Sequence, residues 1–219
     1  MIQRITLESA LPHVFTGMEH ESPLRDSEVW LRKVTLERGR HYMVEAESGT
    51  GKSSLCSFIY GARGDYHGHI LFDSADVKGF GIDRWCELRR TSLAYLPQEM
   101  MLFPELTVIE NIEIKNRLTG FRDRKWIERA LDELEIGHKA DQPAALLSIG
   151  QQQRVAIVRA LCQPFDFLLL DEPVSHLDSR NNAKAAALIG REAEAQGASV
   201  IATSVGNKLA LTYHHTLRL

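Results

Sequence analysis

Ten residues constrain this chain more than any others: Glu45-Ala46-Glu47-Ser48-Gly49-Thr50-Gly51-Lys52-Ser53-Ser54. An apolar run, His41-Tyr42-Met43-Val44, leads into them, and a helix-compatible run, residues 55–60, leads out. Strand, glycine-rich loop and helix form the setting of a phosphate-binding loop. In such a loop, backbone N–H groups and a helix N-terminus face one concavity and favour an anion there. Gly49 and Gly51 let the backbone approach the phosphates. Lys52 is suited to neutralise β- and γ-phosphates, and the Ser53 hydroxyl to ligate Mg²⁺. Glu47, Ser48, Thr50 and Ser54 complete the nucleotide-facing stretch. The usual pattern opens on glycine, and Ala46 stands in that place. The competing reading, a chance Gly-Ser turn, is disfavoured by the spacing, the Lys-Ser pair and the flanks.

A chain of 219 residues holds one large α/β domain, or a domain with a subdomain. Its 44% apolar content fills a core, and its 25% charged residues suit a soluble surface. A formal net charge of −3 leaves no electrostatic footprint for nucleic acid, and no such partner is expected. No stretch approaches the ~20 apolar residues of a membrane span. The N-terminus, Met1-Ile2-Gln3-Arg4-Ile5-Thr6, lacks a secretory apolar region. Cys56, Cys86 and Cys162 stand apart in the sequence and read as buried, reduced thiols of a cytosolic protein. His67 and His69, and the pair His214-His215, have no acidic or thiol partners at ligand spacing. They read as exposed loop and strand-end residues.

Alternation predicts strands over residues 2–8 and 29–36. Between them, Pro12 and Gly17 bracket a loop holding Phe15, and residues 18–26 read as a hairpin loop. Short strands follow at 68–73 and 92–97, with a helix at 82–90. From about residue 99 to 148 the pattern turns to short helices, with apolar faces at 108–118 and 126–134. This segment reads as a helical subdomain inserted into an α/β core made of residues 1–98 and 149–219. Further on, helices are expected at 150–162 and 178–195, and buried strands at 165–170 and 199–202. The chain ends almost as soon as the core is complete, so no appended regulatory domain is expected.

The second chemical signal is Phe167-Leu168-Leu169-Leu170-Asp171-Glu172-Pro173. An apolar strand delivers two adjacent acids to its C-terminal edge, where ligands bind in open α/β sheets. Side chains alternate along a strand, so the two acids take different jobs. Asp171 fits a Mg²⁺ shell, and Glu172 fits a general base or positioner for the water that attacks the γ-phosphate. The third signal is Leu147-Ser148-Ile149-Gly150-Gln151-Gln152-Gln153-Arg154, a helix N-terminus with Ser148 as its cap.

With these three signals in this order, the chain resembles the ATPase subunits of ATP-binding cassette (ABC) transporters, over essentially its whole length. Their signature, Leu-Ser-Gly-Gly-Gln, sits just before the acidic strand, as here. The resemblance implies a phosphate-loop NTPase core, with a mainly parallel sheet and an antiparallel β subdomain, plus the helical insertion. It also implies a head-to-tail pair of chains enclosing two ATP molecules. Ser148, the Gly150 amide and Gln151 would then meet nucleotide held by the second copy. Gln98 matches the glutamine that senses Mg²⁺ and the attacking water, and Asp178 matches a residue contacting the partner's phosphate loop. Phe15 matches the aromatic that stacks on adenine. On the residues alone it is equally an ordinary core phenylalanine.

Residues 93–98 and 102–111 are similar to those of the lipoprotein-release, macrolide-efflux and cell-division group of these ATPases. An integral-membrane permease is the implied partner, docked near residues 98–111, with the ATPase peripheral on the cytoplasmic face of the cell membrane. Three positions depart from the family pattern: Ala46, Ile149 and Ser204. Ser204 stands where a histidine bridges the γ-phosphate and the base region. Serine is shorter and never cationic. Hydrolysis is therefore expected to be slow, or rescued by water, His214 or His215. The alternative expectation is a regulatory or scaffold module that binds ATP and scarcely hydrolyses it.

Overall fold

A computed structural model describes residues 1–18, 20–22 and 24–219. The expected loop at 18–26 includes Glu19 and Pro23, which lie outside the described residues. Its end, Leu24–Asp26, forms one turn of 3₁₀ helix.

Two sheets organise the chain. The first is antiparallel and built from β1 (Arg4–Pro12), β2 (Lys33–Glu37), β4 (Tyr66–Phe72) and β5 (Ala75–Asp76), in the order β2-β1-β4-β5. The second contains β3 (Tyr42–Glu45), β6 (Leu93–Leu96), β7 (Phe167–Asp171), β8 (Ser199–Ser204) and β9 (His215–Arg218). Its order is β6-β7-β8-β3-β9, with every pairing parallel. The helices are α1 (Lys52–Ile59), α2 (Ile82–Thr91), α3 (Val108–Asn116), α4 (Arg124–Glu133), α5 (Ile149–Ala160) and α6 (Ser179–Ala195).

The unbroken apolar run of β7 follows from burial on both faces. Phe167 and Leu169 point into a core shared with α1 and the antiparallel sheet. Leu168 and Leu170 point into a second core shared with α3, α4, α5 and α6. Between β6 and α5 lie α3, α4 and two short 3₁₀ turns, without a strand among the described residues. Thr107 caps α3 in a reciprocal box with Glu110, and Asp123 caps α4.

Several expected boundaries shift for physical reasons. β1 runs on past Glu8 because a bulge, with Ser9 at φ 49°, lets it resume pairing at Leu11. The expected strand at 29–36 is only β2. Val29 and Trp30 are buried in the core shared with α1, with Trp30 beneath the phosphate loop; Ser27 Oγ caps both their N–H groups, and Leu31 turns the chain at φ 59°. The expected loop around Phe15 is a 3₁₀ turn, His13–Phe15. Cys56 and Cys162 are buried, but Cys86 is exposed on the outer side of α2. His67 and His69 are exposed but lie within β4, and His69 pairs with Asp76.

Candidate active site at the carboxyl edge of the parallel sheet

The loop after β3 closes on itself. Thr50 Oγ1 donates to the Glu47 carbonyl at 2.8 Å, and Lys52 Nζ donates to the same oxygen at 3.0 Å. Trp30 Nε1 donates to the Thr50 carbonyl at 3.0 Å, fixing the loop to the core below. Gly51 opens α1 at φ 99°. A Cβ there would lie 3.1 Å from the Trp30 ring and 3.2 Å from that of Phe15, so glycine is needed on both counts. Ala46 does not have a positive φ, which explains why its methyl group is tolerated. Glu47, Ser48, Gly49 and Ser53 are exposed, and Ser54 is half-buried. This leaves the concave face of the loop open.

β7 brings the two acids alongside. Asp171 is buried; its Oδ1 accepts from Thr203 Oγ1 at 2.7 Å, while its Oδ2 has no hydrogen-bond partner. An orphaned buried carboxylate oxygen and an exposed Ser53 hydroxyl form the kind of sparse oxygen set that Mg²⁺ takes, completed by substrate phosphate and water. The residues present therefore fit that ion. Glu172 sits at φ 49°, a left-handed conformation that costs a non-glycine residue roughly 1–2 kcal/mol. Three bonds hold its backbone there: its N–H donates to Thr203 Oγ1 at 3.1 Å, and its carbonyl accepts from Gln153 Nε2 at 3.1 Å and from the Ser175 N–H at 3.4 Å. The turn aims the carboxylate at the loop, where Oε1 lies 3.7 Å from Lys52 Nζ.

Ser204 ends β8 opposite Glu45, and its carbonyl accepts the Ala46 N–H at 3.2 Å. Its hydroxyl is buried without a partner. A cavity of about 420 Å³ lies in front of it. His214 and His215 do not enter that space. His215 pairs with Tyr42 at the start of β3, three residues from the loop end, or about 10 Å along the strand. His214 Nδ1 accepts the His41 N–H at the same distant edge. The expectation that either replaces a histidine at position 204 is corrected by this topology. Gln98 is exposed two residues beyond β6, whose end pairs with Leu170 next to the acids. Phe15 is half-buried against the core, and its free side borders a hollow of about 190 Å³ shared with residues 47–50.

The remaining candidates form a second surface. Ser148 caps α5: its hydroxyl accepts from Gln151 N–H at 3.4 Å, and Gln151 Oε1 accepts the Ser148 N–H at 2.9 Å. Ile149 is exposed. A Cβ on Gly150 would lie 2.7 Å from the His176 carbonyl, so this glycine permits the close approach of α5 to the loop that carries Asp178. Asp178 caps α6, and the Asn181 N–H beside it holds its carboxyl below the usual range. The hydrogen bonds of Ser148 and Asp178 are local, and none reaches the chain's own phosphate loop among the described residues. Sequence reasoning missed Gln153, Thr203, Trp30 and Lys208. Gln153 had a readable signal, because it falls on the buried stripe of α5 with Ala156, Ile157 and Ala160.

The family model for ABC transporters matches residues 32–175, spanning the loop, the capped helix and the acidic strand. The chain belongs to the ABC transporter family. This cassette is 31% identical over 219 residues to the ABC transporter ATP-binding protein YtrE of Bacillus subtilis, covering 95% of the chain and 92% of that protein. It is 31% identical to the lipoprotein-releasing system ATP-binding protein LolD 1 of Chlorobium chlorochromatii, over 78% of the chain and 71% of that protein. Among solved structures it resembles the dimeric post-hydrolysis state of the ATP-binding cassette MJ0796, bound to ADP and Pi. That match has a TM-score of 0.72 at 25% identity, over 93% of the chain and 88% of the neighbour. The cassette is an ATPase of the ABC type. No helix among the described residues is long and apolar enough to cross a membrane.

Proposed function

We propose that the cassette is the ATP-hydrolysing subunit of a membrane transporter. Two copies close head to tail around two ATP molecules and drive an integral-membrane permease. The observation that carries this reading is the 3.7 Å approach of Lys52 Nζ to Glu172 Oε1, beside the orphaned oxygen of Asp171. Charge neutraliser, water-positioning base and metal ligand thus meet at one edge.

In this reading Lys52 and the loop amides of residues 47–51 bind and orient the β- and γ-phosphates, and Ser54 extends that contact. Phe15 offers its ring to the base. Glu172 holds the attacking water and receives its proton, while Gln98 orients the same water. Ser53 and Asp171 would hold Mg²⁺, with Gln98 beside them; the ion supplies charge neutralisation for the phosphates. Ser148, Gly150, Gln151 and Asp178 belong to the second copy's site, since a capped helix N-terminus favours an anion. Residues 99–148 act as the helical subdomain that moves the permease through the stretch 98–111. The cassette sits peripherally on the cytoplasmic face of the membrane. Likeness to LolD 1 supports placement in the lipoprotein-release group.

A vanadate-sensitive steady-state ATPase assay of wild type and Glu172→Gln tests the reading. Turnover in wild type and a loss of about 100-fold or more in the variant support it; equal rates would overturn it. Affinity purification from native membranes tests the permease partner, and recovery of the cassette without any membrane protein would overturn that part. A second reading has a specific observation behind it. The buried, partnerless hydroxyl of Ser204 favours a module that binds ATP and dimerises but hydrolyses it slowly. Turnover below about one per minute with normal ATP binding would favour that module, since working enzymes cluster near 1–10³ s⁻¹.

A further inference from the structure

Two charged side chains at the mouth of the phosphate loop have no part in the site described so far. Glu45 ends β3 directly opposite Ser204, so the two side chains leave the sheet on the same face. Lys208, four residues beyond Ser204, forms an ion pair with Glu45 Oε1. Both line the cavity of about 420 Å³ that Ser204 backs and that Ala46, Glu47 and Arg218 wall. The loop's own cation, Lys52, is already shared between the Glu47 carbonyl and Glu172. Asp26, Glu45 and Glu47 line the cavity against Lys208 and Arg218, an excess of negative charge that a triphosphate would deepen. The Lys208–Glu45 pair is solvent-facing, with side chains 53% and 35% exposed. Exposed pairs of this kind are weak and exchange readily for a more highly charged partner.

We infer that Lys208 is a second cation for the terminal phosphate of the nucleotide. Its ammonium leaves Glu45 for a γ-phosphate oxygen at the mouth of the cavity. Glu45 is the positioning residue that keeps Lys208 at the loop while the site is empty of nucleotide. The inference rests on the nucleotide reading above. It adds an electrostatic contact that distinguishes ATP from ADP.

Equilibrium binding of ATP and of ADP tests it, using the full chain in a Glu172→Gln background. Lys208→Met should narrow the preference for ATP over ADP about tenfold and leave ADP affinity within about twofold. Lys208→Arg should keep the preference. An unchanged ratio in Lys208→Met would overturn the inference while leaving the nucleotide site intact. Failure of the Glu172→Gln chain to bind ADP at all would instead overturn the nucleotide reading, and this inference with it.

Discussion

Lys52 Nζ and Glu172 Oε1 face each other across 3.7 Å, with side chains only 6% and 17% exposed. Two elements far apart in sequence meet there, and their substitutions should separate. Lys52→Ala should weaken ATP binding and turnover together, because the phosphates lose their nearest cation. Glu172→Gln should leave binding within about threefold and lower kcat by about 100-fold or more. Comparing Kd with kcat for both variants checks this. Equal loss of binding in both would mean that Glu172 only holds Lys52 in place.

Gln153→Leu should damage hydrolysis without touching substrate. The amide donates to the Glu172 carbonyl and to Ser175 Oγ, and its oxygen accepts the His176 N–H at 3.0 Å. Leucine leaves the His176 N–H without its acceptor, at a cost of about 1 kcal/mol, while the Glu172 carbonyl keeps the Ser175 N–H and Ser175 Oγ keeps His176 Nδ1. The left-handed Glu172 then loses one of its three anchors. Denaturant midpoints and kcat should both fall, whereas Gln153→Glu, which keeps an acceptor for His176, should recover part of the stability.

Ser204→His should show its effect only when Lys208 is absent. The cavity before Ser204 has room for an imidazole. In wild type the change should alter kcat by less than about threefold. In Lys208→Met it should restore at least half of the lost preference for ATP over ADP, giving a coupling between the two sites. Additive effects in a double-mutant cycle would show that the two positions act independently.

Stability should fall as the solution is acidified through the histidine range. His41 Nδ1 accepts the Val200 N–H at 3.2 Å, and burial, then the nearby His214, holds the His41 imidazole below its ordinary value. The unfolded chain therefore takes up the proton first, so the folded state loses ground from about pH 6.5 downward until folded His41 also titrates. Above about pH 7.5 both states are neutral at this group and it contributes no slope. His41→Asn offers an amide oxygen as a proton-independent acceptor. Urea midpoints at about pH 7.5 and about pH 5.5 should differ less in that variant than in wild type.

The sequence was most legible wherever a motif is local. The phosphate loop, the acids ending and following β7 and the capped start of α5 all lie within runs of ten residues or fewer, and backbone constraints tie each residue to its neighbours. What escaped were relationships made by register and packing. Val29 and Trp30 look like strand residues, but they are buried in the core off the sheet, where Trp30 supports Thr50. His214 and His215 looked available to the site until the parallel pairing of β9 with β3 placed them at the other edge. Lys208 reads as an ordinary surface lysine, and only the pairing of Glu45 with Ser204 gives it a neighbour of consequence.

Gln153 sits in the helix that Ser148 begins, one turn beyond it, and its single amide group grips both the backbone of Glu172 and the loop leading to Asp178. In the proposed head-to-tail pair, that geometry makes one side chain a yoke between the surface offered to the second copy and the carboxylate turned inward. If a phosphate pulls on the start of α5, the tug arrives at Glu172 without passing through the phosphate loop. Each copy's readiness to act would then report whether its neighbour is loaded, and two such chains would tend to fire as a couple.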